Sequence, residues 1–170
     1  MTESNICFEK VNLALQRLVG CTLEGFSFQT LEFALYFGPG TFLDIRGREG
    51  ERYSRSLRSS YECTLKLGLA QYSRQELLGL SISEQESRVE ELCKCISDQQ
   101  VLEVALEQIG TLNLRMSDNC HFECLSSSVK TEDYSWHYID REFDESAGVN
   151  VTTFYSNDGP GQFYSRRTKR

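Results

Sequence analysis

Apolar residues recur near the start of the chain at helical spacing. Phe8, Val11, Leu15 and Leu18 lie three or four residues apart, with Ala14 on the same side, and this predicts an amphipathic helix. Ser4 is the expected N-cap and Gly20 the expected stop. The period then changes to two. Leu31, Phe33, Leu35 and Phe37 alternate with Glu32, Ala34 and Tyr36, which predicts a strand. Gly38-Pro39-Gly40 supplies a turn, and Leu43 and Ile45 continue as a return strand. An earlier strand is expected from Leu23 to Phe28, with Gly25 inside it.

The arrangement returns 79 residues later without a gap, from Leu23/Leu102 and Glu24/Glu103 to Asp44/Glu123. Leu112, Leu114 and Met116 alternate, Ser117-Asp118-Asn119 replaces the turn, and Phe122 and Cys124 take the places of Leu43 and Ile45. This predicts a duplicated strand–turn–strand unit over about residues 20–68 and 99–140. Between the copies, Tyr61, Cys63, Leu65 and Leu67 read as a further strand. Ser73 with Glu76 and Ser83 with Glu86 fit capping boxes. The second box opens a central helix striped by Val89, Leu92, Cys93 and Ile96. Tyr134, Trp136 and Tyr138 alternate with Ser135, His137 and Ile139 as another strand. Residues 148–154 are expected as an edge strand, 157–161 as a loop and 165–170 as a flexible basic tail. The expected fold is one α+β domain over residues 1–170. Its mostly antiparallel sheet, of about eight strands, comes from the duplicated units, with the N-terminal and central helices packed on it.

Charge narrows the function. The chain has 25 acidic residues against 18 Lys and Arg, a net charge of −7. That balance makes nucleic acid an unlikely partner, because phosphate-driven binding needs a basic footprint. An acidic surface speeds encounter with a basic partner. Residues 1–10 lack a secretory pattern, and no apolar run approaches the ~20 residues of a membrane span. Seven cysteines, an odd number, suit packed free thiols in a reducing cytoplasm rather than a disulfide framework.

No catalytic group, metal site or cofactor emerges. Cys120 and Cys124 on one strand would lie about 13 Å apart, too far to share a metal, and they fall in phase with Phe122 as core residues do. His121 and His137 are the only histidines, and neither sits beside a nucleophile motif. Arg46, Arg48, Arg52, Arg55 and Arg58 form a local basic run without a phosphate-loop pattern. The strongest constellation is acidic and aromatic. Glu132, Asp133, Asp140, Glu142, Asp144 and Glu145 flank Tyr134, Trp136 and Tyr138, a composition suited to meeting Arg and Lys of a protein partner. Paired carboxylates there could instead serve a small hydrolase, and a regulatory interaction module is a third possibility.

The segments from Val19-Gly20-Cys21 to Ile45, from Val101 to Cys124 and from Glu132 to Ile139 carry a further likeness. A repeated Gly–strand–turn–strand pattern closed by an acidic, Trp-bearing strand resembles small acidic immunity proteins of bacterial toxin–immunity pairs. The resemblance covers about residues 19–140 and rests on hydrophobic pattern plus one Trp. The usual Asp-Gly turn is Gly-Pro-Gly in the first unit and Ser-Asp-Asn in the second. The resemblance implies a non-enzymatic cytoplasmic protein that neutralises a basic cognate toxin through the acidic and aromatic residues of the 132–145 segment.

Overall fold

The computed structural model describes residues 4–29, 31–38, 55–96, 99–129 and 134–169. A short strand β1 (Ser4–Asn5) precedes helix α1 (Phe8–Leu15), which tightens into a 3-10 turn over Gln16–Leu18. Then come β2 (Thr22–Gln29), β3 (Glu32–Gly38), β4 (Arg55–Ser59), β5 (Cys63–Leu67) and β6 (Ala70–Ser73). Helices α2 (Arg74–Leu78) and α3 (Ile82–Cys95) separate these from β7 (Gln99–Leu106), β8 (Leu112–Met116) and β9 (Cys120–Cys124). Strands β10 (Trp136–Asp144), β11 (Val149–Gly159) and β12 (Gln162–Lys169) complete the described chain. The strands form one sheet in the order β1-β12-β11-β10-β4-β3-β2-β7-β8-β9-β5-β6, and every described pairing is antiparallel.

The sheet is alternating in sequence and therefore has one apolar face to hide. It hides that face against itself. Strands β2 and β7 meet over only two residue pairs, Thr22 with Gln100 and Leu23 with Gln99. Phe33 on β3 and Phe122 on β9 are four strand steps apart across this seam, about 19 Å in a flat sheet. Their rings nevertheless stack with centroids 5.6 Å apart, so the sheet doubles over at the seam. The result is two facing layers around one core cluster, which takes Leu35, Leu57 and Trp136 from one side and Leu65, Leu114 and Phe122 from the other. Helix α1 touches both layers with one face and leaves the other to solvent. Val11, Leu15 and Leu18 are fully buried, Gln16 Nε2 donates to the Val104 carbonyl at 2.9 Å, and Phe8 meets Phe163 of β12 at 6.2 Å. Burying each such Leu or Val stabilises the fold by about 2 kcal/mol.

Hairpins β2–β3 and β7–β8 share an irregularity. Each has a bulge in its first strand, between Leu23 and Gly25 and between Val101 and Glu103. Beyond the bulges Phe26 faces Leu35 as Val104 faces Leu114, and Phe28 faces Phe33 as Leu106 faces Leu112. Strands β3 and β8 therefore correspond at the expected offset of 79 residues, but β2 and β7 correspond at 78. The gapless alignment sets Leu23 against Leu102, yet Leu23 is fully buried and Leu102 is 43% exposed at the bulge. A period of two makes a one-residue slip exchange the faces. The expected return strand at Leu43 and Ile45 and most of its turn lie outside the described residues.

Other expectations need correcting. Ser4 does not cap α1. It pairs with Ser165 in β1, and Cys7 takes the N-cap position. Ser73 caps α2 as expected, but the box of α3 is Ser81 with Glu84, two residues earlier than Ser83 with Glu86. Leu92 and Ile96 carry the buried stripe of α3, whereas Cys93 is exposed. The 148–154 segment is not an edge, because β11 runs between β10 and β12. Arg166, Arg167, Thr168 and Lys169 are paired with β11 rather than frayed.

The loop between β7 and β8 clasps the opposite layer. The Trp136 indole N–H donates to the Gly110 carbonyl at 2.6 Å, and Gly161 N–H donates to the Ile109 carbonyl at 2.9 Å. Gly110 has φ +109°, and a Cβ there would come within 2.7 Å of Cγ of the buried Asn157. Gly110→Ala should cost about 3 kcal/mol, from backbone strain plus the displaced Asn157. Gly148→Ala, at φ +64° with nothing near, should cost about 1 kcal/mol. Urea unfolding followed by Trp136 fluorescence measures both.

Candidate functional site

Strand β10 holds most of the residues that the sequence singled out, and its two faces do different things. Inward, Trp136 and Tyr138 are fully buried and Asp140 is 2% exposed. The first two are core residues, so neither reaches a partner's surface in this fold. Glu132 and Asp133 lie outside the described residues. Tyr134 is half-buried and its hydroxyl donates to Glu32 Oε1. Asp144 closes its own turn, accepting from the Ser146 hydroxyl at 2.6 Å and from the Ser146 and Ala147 N–H groups. The Ser146 hydroxyl leads these contacts in holding the Asp144 carboxyl below its ordinary range. Glu142 and Glu145 are exposed. The seven of these residues that are described thus form no continuous acidic and aromatic surface.

Asp140 is inward because it lies in phase with Trp136 and Tyr138. A buried carboxylate needs partners. Arg55, its cross-strand neighbour on β4, brings Nε to 3.3 Å of Oδ1, and Arg17 from the end of the first helical segment brings Nη1 to 2.6 Å of Oδ2. Arg17 also pairs with Glu142. Arg55 Nη1 further donates to Cys21 Sγ at 3.4 Å. Burial pushes the Asp140 carboxyl up, and Arg55 and Arg17 pull against it. Both carboxylates are thereby committed to guanidinium groups. The basic run splits in the same way: Arg55 points in, Arg58 points out, and Arg46, Arg48 and Arg52 lie outside the described residues.

Outward, His137 sits opposite Arg58 of β4 and packs against the Tyr134 ring at 4.1 Å. Arg58 pairs with Glu32 at 3.5 Å, and Arg166 of β12 stacks on Phe154 at 4.6 Å. Burial pushes the His137 imidazole down to about 4. The Arg58 and Arg166 charges act in the same direction, and Glu32 opposes them.

The other layer has a cleft of about 540 Å³ on its outer face. Cross-strand register sets Lys66 and Arg115 on either side of His121, and Thr64 and Asn113 on either side of Glu123. Arg115 pairs with Glu103 at 3.1 Å. These positions alternate with the buried Leu65, Leu114 and Phe122, and that parity is the signal by which the sequence could have located them. Four cysteines, Cys21, Cys63, Cys120 and Cys124, are buried, and burial pushes the Cys63 and Cys120 thiols up to about 12. Among the described residues no helix is long and apolar enough to cross a membrane, and no three His, Cys, Asp or Glu are placed to hold a metal ion. Compared with protein families, curated proteins and solved structures, the chain matches none.

Two measurements check this geometry. Asp140→Asn leaves Arg55 without its carboxylate and Arg17 with Glu142 alone, and should cost about 2 kcal/mol, discounted for the exposure of Arg17. Arg55→Gln added to it should cost less than the sum of the two single changes, which a double-mutant cycle in urea reads directly. His137 titrates near 6.5 when unfolded and near 4 when folded. Its contribution is intact above about pH 6.5 and falls away towards pH 4, by up to about 3 kcal/mol. His137→Gln should lose that part of the pH dependence, measured as the wild-type minus variant difference.

Proposed function

We propose that this chain is a non-enzymatic binding protein that neutralises a basic bacterial toxin domain by direct contact, and that the contact surface is the acidic half of the molecule. One observation supports the placement. Residues 61–125 hold eleven acids against five Lys and Arg, net −6 of the total −7. This stretch carries α2, α3 and strands β5 to β9. Glu84, Glu86, Glu90 and Glu91 are exposed on α3, and Glu103 and Glu123 are exposed in the cleft. Carboxylates at a surface can attract a cationic partner over several ångströms and raise its on-rate. Asp140 and Glu142 of β10, by contrast, are already taken up by Arg17 and Arg55, and Asp144 by its own turn. The same reading takes the two bulged hairpins as copies of one duplicated unit, with α2 and α3 as the part that does not repeat.

Co-expression with the toxin-like product of a neighbouring gene tests the proposal. The expected result is co-purification and rescue of cell growth. Glu86→Lys with Glu90→Lys should slow association about tenfold at low salt and flatten its salt dependence. Glu142→Lys with Glu145→Lys should change it little. Loss of binding through the second pair alone would return the contact surface to the β10–β11 end. Failure to bind or to rescue would remove the toxin-neutralising reading.

A further inference from the structure

The outward face of β10 carries a cluster that the toxin-binding reading leaves unused. Arg58 Nε, His137 Nε2 and Arg166 Nε are buried and have no hydrogen-bond partner among the described residues. An unsatisfied buried donor costs about 1–3 kcal/mol, and native proteins satisfy nearly all of them. Here three such nitrogens come from three strands of one sheet face. Arg58 and His137 are direct cross-strand neighbours. Arg166 lies opposite Phe154, which lies opposite Ile139, and its guanidinium packs over the Phe154 ring at 4.6 Å. Both arginine charges act on His137. The counter-charge in the cluster is Glu32, which meets Arg58 at 3.5 Å and also accepts from Tyr134 and Ser60. Arg166 makes no ion pair among the described residues. Among the described residues these two guanidinium groups share one ion pair, that of Arg58 with Glu32.

We propose that Arg58, His137 and Arg166 form a binding site for a tetrahedral oxyanion, a phosphoryl or sulfuryl group, on the outer face of the β4–β10–β11–β12 layer. The three residues stand on β4, β10 and β12 of one sheet face, and donors on separate strands suit a group with three or more acceptor oxygens in different directions. A planar carboxylate offers two oxygens in one plane. The neutral imidazole supplies one N–H, and an anion beside it favours its protonated form.

Thermal unfolding of the full chain, titrated with sodium phosphate and with sodium sulfate, tests this against sodium chloride of equal ionic strength and against sodium acetate. The site predicts a saturable rise in Tm with phosphate and sulfate beyond that with chloride or acetate. Arg166→Gln should weaken the effect about tenfold or more, and Arg141→Gln, on the same sheet face, should not. A second readout needs no variant. The NMR titration of His137, faced by Arg58 from β4, Glu32 from β3, Arg166 from β12 and the neighbouring Tyr134, should move up from about 4 when sulfate is present. Sulfate keeps its charge across that range. A nucleoside monophosphate arm separates a free oxyanion from one carried on a larger molecule, and binding of either supports the site. Sulfate acting no more than chloride, an unmoved His137 titration, or equal weakening by Arg166→Gln and Arg141→Gln overturns the proposal. Acetate matching phosphate would overturn the tetrahedral class.

Discussion

One constraint governs this molecule: a single antiparallel sheet has to bury its apolar face against itself. The doubling-over happens at a seam of two residue pairs between β2 and β7. So short a seam leaves little ladder to resist the bend, and the bulges beside it at Leu23/Gly25 and Val101/Glu103 add local twist where the strands diverge. Closure at the far side falls to side chains, with one backbone link from Gly161 N–H to the Ile109 carbonyl beside them. Trp136 reaches the carbonyl of Gly110, Phe33 stacks on Phe122, and the helical segment 8–18 adds Val11, Leu15 and Leu18 to the shared core. Hydrogen bonds within the sheet fix each layer, while the contacts between layers are hydrophobic and short in number of polar links. The fold is therefore most sensitive where those links are buried, at Trp136, Gly110 and Asn157.

That constraint also sorts the charges. Because β10 is a wall of the core, every second residue along it faces inward, whatever its chemistry. Asp140 is carried inside by the same parity that buries Trp136 and Tyr138. A carboxylate in that position is tolerable only with cations brought to it, and they come from two different elements, Arg17 at the end of the helical segment and Arg55 on β4. The pairing ties the helix to the sheet and fixes Arg55 beside Cys21. Such a network is weak evidence for added stability, since desolvation offsets much of the attraction. Its clearer effect is to make the position of α1 depend on β4 and β10 together.

Period-two runs with large apolar residues were legible, because burial on one face leaves a direct trace in the sequence. Strands β3, β5, β8 and β9 show this, as do the N-terminal helix and the Ser73 cap. Three things left no such trace. The connection from Leu106 to Leu112 is one residue longer than that from Phe28 to Phe33, and a loop residue leaves no mark on the strand pattern, so the gapless repeat put Leu102 where Val101 belongs. Strands whose outward residues are Thr, Ser and Arg, as in β11 and β12, look like loop and tail until their partners are known. Ser81 and Ser83 are both able to cap, and the choice depends on where the chain leaves α2. The site suffered from the same gap. An acid next to a Trp reads as surface, and only its parity with that Trp shows that Asp140 is interior.

What remains is to ask which acids have a structural task. Asp140 balances Arg17 and Arg55, Asp144 closes a turn, and Glu84 completes the cap of α3. Glu76 and Glu91 are bridged by Arg88, whose guanidinium also packs over Tyr72 at 4.6 Å. Glu90 meets Lys94 on the same helix, both mostly exposed, an arrangement worth little. With these included, residues 61–125 hold a net charge of −6, against a balance near zero over the rest of the chain. Like charges gathered on one half of a small molecule repel one another and lower the stability of the compact state. Folding alone supplies no reason to concentrate them there, since solubility would be served as well by spreading them. A cationic surface arriving at that half would relieve the repulsion as it bound. The acids with no structural task are thus a stronger pointer to a binding face than the acids beside the Trp, which the core has already claimed.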